Sequence, residues 1–150
     1  MGDRLPDTIE VLVVGGGQAG IAMSEHLGTR GIPHLVLERD RVAERWRSGR
    51  WDSLVANGPV WHDRFPGLAF DDVDQDVFAG KERVADYFVE YAERIGAPIH
   101  TGVEVTSVRR HGDRRGWQGI PADLYQCRIA LRRCPEGHDQ WLDRCAVNER

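Results

Sequence analysis

Cysteine is scarce in this sequence of 150 residues, which has three, all after position 126. Cys127, Cys134 and Cys145 form neither a C-x-x-C pair nor a zinc-ribbon spacing, so a thioredoxin-like dithiol within these residues is excluded. His138 lies between two of them and raises a metal site as the weaker alternative, while free thiols are the favoured interpretation. We therefore expect no metal centre.

Long apolar runs and excess positive charge are also missing. No stretch approaches the ~20 residues of a membrane span, and the polar segment 1–7 lacks a secretory apolar region. The net charge of −4 favours neither nucleic acid nor an anionic membrane as a partner. We expect a cytoplasmic, single-domain chain that binds small molecules, and no residue pattern indicates an oligomeric state.

The most informative segment is a glycine-rich loop between an apolar run and an amphipathic stretch. Ile9–Val14 is apolar except for one glutamate, as expected of a strand buried on both faces, and Gly15–Gly20 follows it with the spacing G-x-G-x-x-G. Ala19, Met23 and Leu27 recur at positions i, i+4 and i+8, which is one face of a helix, and so predict a helix after the loop. A second apolar strand ends at Glu38. This order is typical of a βαβ unit that binds a dinucleotide.

Each residue of the loop has a predicted role. Gly15 permits the tight turn, Gly17 lets phosphate oxygens approach the backbone, and Gly20 lets the helix pack closely on the strand. The first-turn N–H groups, together with about half a positive charge at the helix end, favour a diphosphate. Glu38 follows Gly15 by 23 positions, near the ~20 expected of an acid that binds the ribose and disfavours a 2′-phosphate.

The rest of the chain extends the α/β pattern. Residues 81–95 predict an amphipathic helix with one apolar stripe, and strands are predicted at residues 98–99 and 103–108. The expected order through residue 108 is therefore β-α-β, a long loop, α, β, β. That loop begins with a segment rich in arginine and tryptophan, in which bases could neutralise a diphosphate and indoles could cover a flat ring. The alternative is a surface loop whose tryptophans fill the core edge.

His62 is either a structural residue, as is more common, or a proton carrier.

Residues 8 to about 110 resemble the N-terminal FAD-binding region of flavin-containing monooxygenases and related NAD(P)/FAD-dependent oxidoreductases. The resemblance rests on Val13–Gly20, on Val36–Arg39, on Glu44–Arg47 and Trp51–Leu54, and on Gly102–Val108. It implies a Rossmann-like FAD-binding βαβ domain.

The family pattern also implies roles for matching positions. The FAD diphosphate would lie on the loop formed by Gly15, Gly16, Gly17, Gln18, Ala19 and Gly20. Glu38 would bind the ribose, Arg39 would lie beside the adenine, and Val105 would meet the adenine through its backbone. Trp46 and Arg47 would run past the flavin end.

The resemblance further implies an activity. In such enzymes NAD(P)H reduces FAD by hydride transfer, and the reduced flavin then activates O2 to oxygenate a small molecule. Because the flavin carries the chemistry, no catalytic side chain is assigned.

The last forty residues depart from the family pattern. No second G-x-G-x-x-G for NAD(P)H follows, and residues 111–150 contain no Val/Ile-rich strand that ends in Ala-Thr-Gly. A short strand is expected at residues 124–131. We therefore divide the chain into an FAD-binding region, 1–110, and an atypical tail, 111–150, and expect an incomplete domain. Truncation and a shifted reading frame both explain such a tail.

Three functional interpretations stay open. The first is the FAD-binding portion of a monooxygenase-like flavoenzyme, whose activity as a short chain alone is in doubt. The second is a fragment of an NAD-dependent dehydrogenase, which shares the loop and Glu38 but does not account for the segments around Trp46 and Trp51. The third is a degenerate, non-catalytic fragment that binds nucleotides weakly or not at all.

Overall fold

The computed structural model of the chain describes residues 5–6, 8–111, 126–133 and 139–146. These residues form an α/β fold with two sheets and three helices. The helices are α1 (Gln18–Thr29), the single-turn α2 (Glu44–Arg47) and α3 (Lys81–Arg94). The strands are β1 (Thr8–Ile9), β2 (Val11–Val14), β3 (His34–Leu37), β4 (Ile99–His100), β5 (Val103–His111), β6 (Gln126–Arg133) and β7 (Asp139–Ala146).

The first sheet is parallel, with strand order β2-β3-β4, and it confirms the predicted βαβ unit. The register places Val14 beside Leu37, so that β2 and β3 end at the same level. Because α1 starts just beyond the end of β2, the N-terminus of this helix and the residue after β3 meet at one sheet edge. That edge positions the candidate site.

The second sheet has the order β1-β7-β6-β5, with antiparallel pairing except between β1 and β7. The expected short strand near residues 124–131 is present as β6, displaced by two residues, whereas β7 was not expected. β5 runs to His111 and so crosses the boundary drawn after residue 110. Parts of the segment 111–150 therefore join the sheet through backbone pairing. The origin of this segment as a truncated or frame-shifted end stays a prediction.

The predicted helix after the loop is present as α1, but the apolar residues whose spacing predicted it do not form its buried face. Ala19 is exposed and Met23 is 50% exposed, whereas Ile21 and Ser24 are buried. The serine is stable there because its hydroxyl shares a 2.7 Å hydrogen bond with Nε2 of His34 on β3. Hydrophobic periodicity alone favoured the apolar side chains and missed the buried polar pair. Val14 at the end of β2 is likewise 58% exposed rather than buried on both faces.

The predicted helix at residues 81–95 is confirmed, with Ile95 as its C-cap. Its stripe packs into the main core together with α1 and the long loop. The buried members of that stripe are Val84, Phe88, Tyr91 and Ala92, and Ile95 is partly buried. In the described ranges no helix has the length and apolar character needed to cross a lipid bilayer.

Candidate dinucleotide site

The glycine loop turns directly off β2 with a backbone that requires glycine. Gly15 has a φ of +100°, in the left-handed region, and its N–H donates to the Leu37 carbonyl at 2.8 Å. A Cβ at Gly20 would lie 1.9 Å from the Gly15 carbonyl oxygen, whereas a Cβ at Gly17 would meet nothing within 4 Å. The loop is thus tightly packed at Gly20 and open at Gly17. These are the properties that close helix packing and approach of a phosphate require.

Among the residues that the structure describes, no side chain caps the N-terminus of α1. Gly17 is the N-cap residue, no side chain bonds to the first turn, and the first turn contains no acidic residue. Since the first N–H groups of a helix lack intrahelical partners, those of Gln18 and Ala19 remain available to an anion.

The carboxylate of Glu38 lies against the loop. One oxygen accepts a hydrogen bond from the Gly16 N–H at 2.6 Å, and the other accepts from the Asp40 N–H at 2.8 Å. A Cβ at Gly16 would come within 3.1 Å of the Glu38 side chain. Gly16 therefore holds Glu38 in place through its N–H, and its contact with a diphosphate stays a prediction.

A cavity of about 330 Å³ opens at this loop. Besides the loop itself and Glu38, residues of the following segment line it. They are Ala43, Glu44, Arg45, Trp46 and Arg50, and Val14 at the end of β2 lines the cavity as well. Ala43 has a left-handed φ of 60° and donates its N–H to the Gly16 carbonyl at 2.9 Å, which ties the arginine-rich segment to the loop. We call this space the loop cavity.

The arginines of residues 39–50 divide into two groups. Arg39, Arg41 and Arg47 bond to carboxylates, whereas Arg45 and Arg50 line the loop cavity. The hydrogen bond with Arg41 lowers the pKa of the Glu44 carboxyl below its ordinary value. Sequence reasoning grouped all five arginines. The ion pair of Arg47 joins it to Asp86, 39 positions away, and local spacing could not show it.

Three of the predicted binding residues lie away from the loop cavity. Arg47 donates to the Val42 carbonyl at 3.0 Å and to Asp86 at 2.7 Å, so that it joins the segment to α3. Arg39 bonds to Asp40, which raises the pKa of its guanidinium, and lines a shallow neighbouring depression. Val105 lies on β5 and packs against the small core of the sheets. Their contacts with a cofactor stay predictions.

A second, aromatic cavity of about 360 Å³ shares Gln18 and Trp46 with the loop cavity. It was not predicted from the sequence. Its other lining residues are Ala56, Asn57, Val60, His62, Asp63, Arg64, Phe65, Phe70, Ala79, Val84, Tyr87 and Phe88. The Trp46 ring lies 5.9 Å from that of Phe88. We call this space the aromatic cavity.

Hydrogen bonds of Tyr87 hold the wall of the aromatic cavity together. Its hydroxyl donates to the Leu68 carbonyl at 2.9 Å and accepts from the Phe65 N–H at 2.6 Å. Burial raises the pKa of this hydroxyl, so that it stays protonated and able to donate. The Phe70 ring stacks on Tyr87 at 4.0 Å between centroids.

His62 lies at the rim of the aromatic cavity. Its Nδ1 is 2.8 Å from Asp63, whose other carboxylate oxygen accepts from the Gly58 N–H at 2.8 Å. A Cβ at Gly58 would lie 2.8 Å from that carboxylate, so the turn is built around it. The carboxylate orients the imidazole, which is largely exposed.

Comparison with known proteins agrees with this geometry. Residues 8–51 match a family model described as an FAD binding domain. The chain is 35% identical over 106 residues to an uncharacterized CzcO-like oxidoreductase from Geobacillus kaustophilus. This match covers 70% of the chain and 30% of that protein. It is 32% identical over 95 residues to indole-3-pyruvate monooxygenase YUCCA1 from rice, covering 63% of the chain and 23% of the relative.

Solved structures with the same fold include a monooxygenase and a disulfide reductase. A flavin-containing monooxygenase from Stenotrophomonas maltophilia superimposes with a TM-score of 0.67 at 20% identity, over 91% of this chain and 36% of that one. A bacillithiol disulfide reductase from Bacillus cereus superimposes with a TM-score of 0.72 at 16% identity, over 89% and 36%. The chain thus spans about a third or less of the length of these proteins.

Proposed function

We propose a function on one premise: over part of its length, this chain belongs to the flavin monooxygenase-like oxidoreductases and carries their FAD-binding region. The chain binds FAD and forms the cofactor-holding portion of a flavin-dependent NAD(P)H oxidoreductase of the monooxygenase type. The observation that carries the proposal is the 2.6 Å contact between the Glu38 carboxylate and the Gly16 N–H. That contact holds a carboxylate beside an uncapped helix N-terminus, and this arrangement suits a ribose next to a diphosphate.

The loop cavity fits the adenosine diphosphate end of the cofactor. Free N–H groups of Gln18 and Ala19 suit the diphosphate, since helix N-termini bind anions. The Glu38 carboxylate, held by two backbone N–H groups, keeps lone pairs for the ribose hydroxyls. A fixed negative charge at this point disfavours a ribose 2′-phosphate, and so favours FAD or NAD over NADP here.

The aromatic cavity favours FAD over NAD. It adjoins the loop cavity at Gln18 and Trp46, so an elongated dinucleotide could extend from one to the other. Its wall of stacked aromatic rings is suited to a large flat ring system, because flat rings pack favourably on aromatic side chains. The isoalloxazine of FAD is such a ring.

The reaction that we propose is the one that the resemblance to this family implies. NAD(P)H would reduce the bound flavin by hydride transfer, and the reduced flavin would then activate O2 to oxygenate a small-molecule substrate. The flavin supplies this chemistry when bound, and the residues of this chain supply binding, orientation and exclusion of water. No side chain of the chain is assigned a catalytic role.

The test is an absorbance spectrum of the purified chain after incubation with FAD and removal of free cofactor. A retained flavin band is expected, with FAD binding more tightly than NAD. A colourless chain whose melting temperature rises with NAD alone would instead support a dehydrogenase fragment. A colourless chain that responds to neither would support a degenerate fragment and reject the proposal.

A further inference from the structure

The charges around the loop cavity are not balanced within the protein. Two carboxylates line it, and each is engaged: Glu38 with two backbone N–H groups, and Glu44 with the Arg41 guanidinium at 2.7 Å. Two arginines, Arg45 and Arg50, also line it. Neither belongs to an ion pair within the described residues. The cavity therefore has cationic charge without a protein partner.

Neighbouring residues restrict the side-chain conformations of both arginines. The guanidinium carbon of Arg50 lies 5.3 Å from the centre of the Trp46 ring, within the range of a cation–π contact. The side chain of Arg45 passes beneath Gly49, where an added Cβ would come within 3.3 Å of its Nε. Contacts of this kind reduce the entropy lost when a side chain binds a ligand.

The position of these groups relative to α1 decides what they could bind. Gly17, Gln18 and Ala19 line the same cavity, and the first turn of α1 offers N–H groups without an acidic side chain nearby. Guanidinium groups and free N–H groups facing one space favour an anion with several oxygens. A diphosphate has the charge and the number of acceptors to use both.

We propose that Arg45 and Arg50 are the cationic side of a diphosphate-binding site, opposite the N-terminus of α1. The ligand class is a nucleoside diphosphate, and the inference rests on the proposed function, since FAD contains this group. Arg39, Arg41 and Arg47 have no part in binding the diphosphate, because carboxylates engage them. The selection of two arginines out of five is what the structure adds to the sequence.

The experiment measures binding of ADP and of adenosine to the full chain at low and at physiological salt. The variants are Arg45→Gln and Arg50→Gln, with Arg50→Lys retaining the charge. Arg30→Gln serves as the matched control, because it removes the same charge at the opposite end of α1, where the guanidinium bonds to the His26 carbonyl.

Each glutamine variant is expected to weaken ADP binding by about three- to tenfold at low salt, since both groups are exposed and screened. Adenosine binding should stay unchanged, Arg50→Lys should restore most of the affinity, and Arg30→Gln should behave as wild type. The salt dependence of ADP binding should also become weaker in the glutamine variants.

Two results would overturn the inference while leaving the proposed function intact. One is ADP affinity that is unchanged in both glutamine variants, and the other is an equal loss for ADP and adenosine, which would indicate a structural role. A wild-type chain that binds neither ADP nor FAD would reject the inference together with the proposed function.

Discussion

The two cavities beside α1 are built from different parts of the polypeptide. The loop cavity is formed mostly by backbone: two closely packed glycines, Gly16 and Gly20, uncapped N–H groups and one carboxylate held by N–H donors. The aromatic cavity is formed mostly by side chains, whose rings pack against one another. Backbone cannot retreat from an added atom, whereas side chains can repack. The loop cavity should therefore be intolerant of small changes that the aromatic cavity would accept.

The largest effect is expected from Gly20→Ala. The new Cβ would lie 1.9 Å from the Gly15 carbonyl oxygen, so either the helix or the loop must move. We expect a loss of about 3 kcal/mol or more in the free energy of unfolding, at the upper end of overpacking costs, together with loss of FAD binding. Urea unfolding and an FAD titration measure the two effects.

Gly28→Ala is the matched control in the same helix. A Cβ there meets nothing within 4 Å, so the substitution should stabilise the helix by up to about 1 kcal/mol, since alanine favours helices over glycine. If both substitutions destabilised the chain equally, close packing of helix on loop would not explain the requirement at Gly20.

Glu38→Gln tests the polar part of the loop cavity. The amide has one acceptor oxygen in place of two, so it cannot keep both the Gly16 and Asp40 N–H bonds and still serve a ribose. FAD affinity should fall about tenfold, as for loss of one hydrogen bond to a charged group. Equilibrium titration measures it, with the exposed Glu93→Gln expected to have no effect. Unaltered affinity would argue that the carboxylate only braces the loop.

Tyr87→Phe tests the other side of the comparison. Loss of the hydroxyl leaves the Leu68 carbonyl and the Phe65 N–H without their partner, which should cost about 1–2 kcal/mol of unfolding free energy. Binding of ADP should persist, since the loop cavity does not include Tyr87. Tyr91→Phe is the control: it is equally buried, and no hydrogen bond of its hydroxyl occurs among the described residues. Equal destabilisation by both variants would contradict this account.

The same contrast explains what the sequence could predict. Backbone requirements can be read in the sequence, because only glycine fits at positions 15 and 20. The spacing from Gly15 to Glu38 also follows from the βαβ unit. Hence the loop and the parallel sheet were predicted, while the buried face of α1 was not, since Ser24 is stable there only through His34.

The aromatic cavity, in contrast, could not be predicted from a sequence pattern. Its wall depends on backbone bonds between distant loop segments, such as those from Ala56 to Ala79 and from Val60 to Val77, and these have no periodic pattern. The arginine-rich segment shows the same limit. Whether an arginine meets a carboxylate depends on residues up to 39 positions away, as for Arg47 and Asp86.

The smallest effect is expected beside Phe70, which lines the aromatic cavity. The guanidinium of Arg83 lies over the Phe70 ring and bonds to the Asp72 carboxylate at 2.7 Å. The hydrogen bond with Arg83 lowers the pKa of the Asp72 carboxyl below its ordinary value. A carboxyl whose pKa is lower in the folded chain stabilises it above the unfolded-state pKa, and this contribution is lost as pH falls through the folded-state pKa. In Asp72→Asn, unfolding free energy should therefore decline less steeply below about pH 4 than in the wild type. Asp71→Asn, next to it and outside any ion pair of the described residues, should keep the wild-type slope, and chemical denaturation at a series of pH values compares the three. If Asp72→Asn had the same pH dependence of unfolding free energy as the wild type, the ion pair with Arg83 would contribute nothing to stability. The exposed carboxylate would then not be what holds Arg83 over the Phe70 ring.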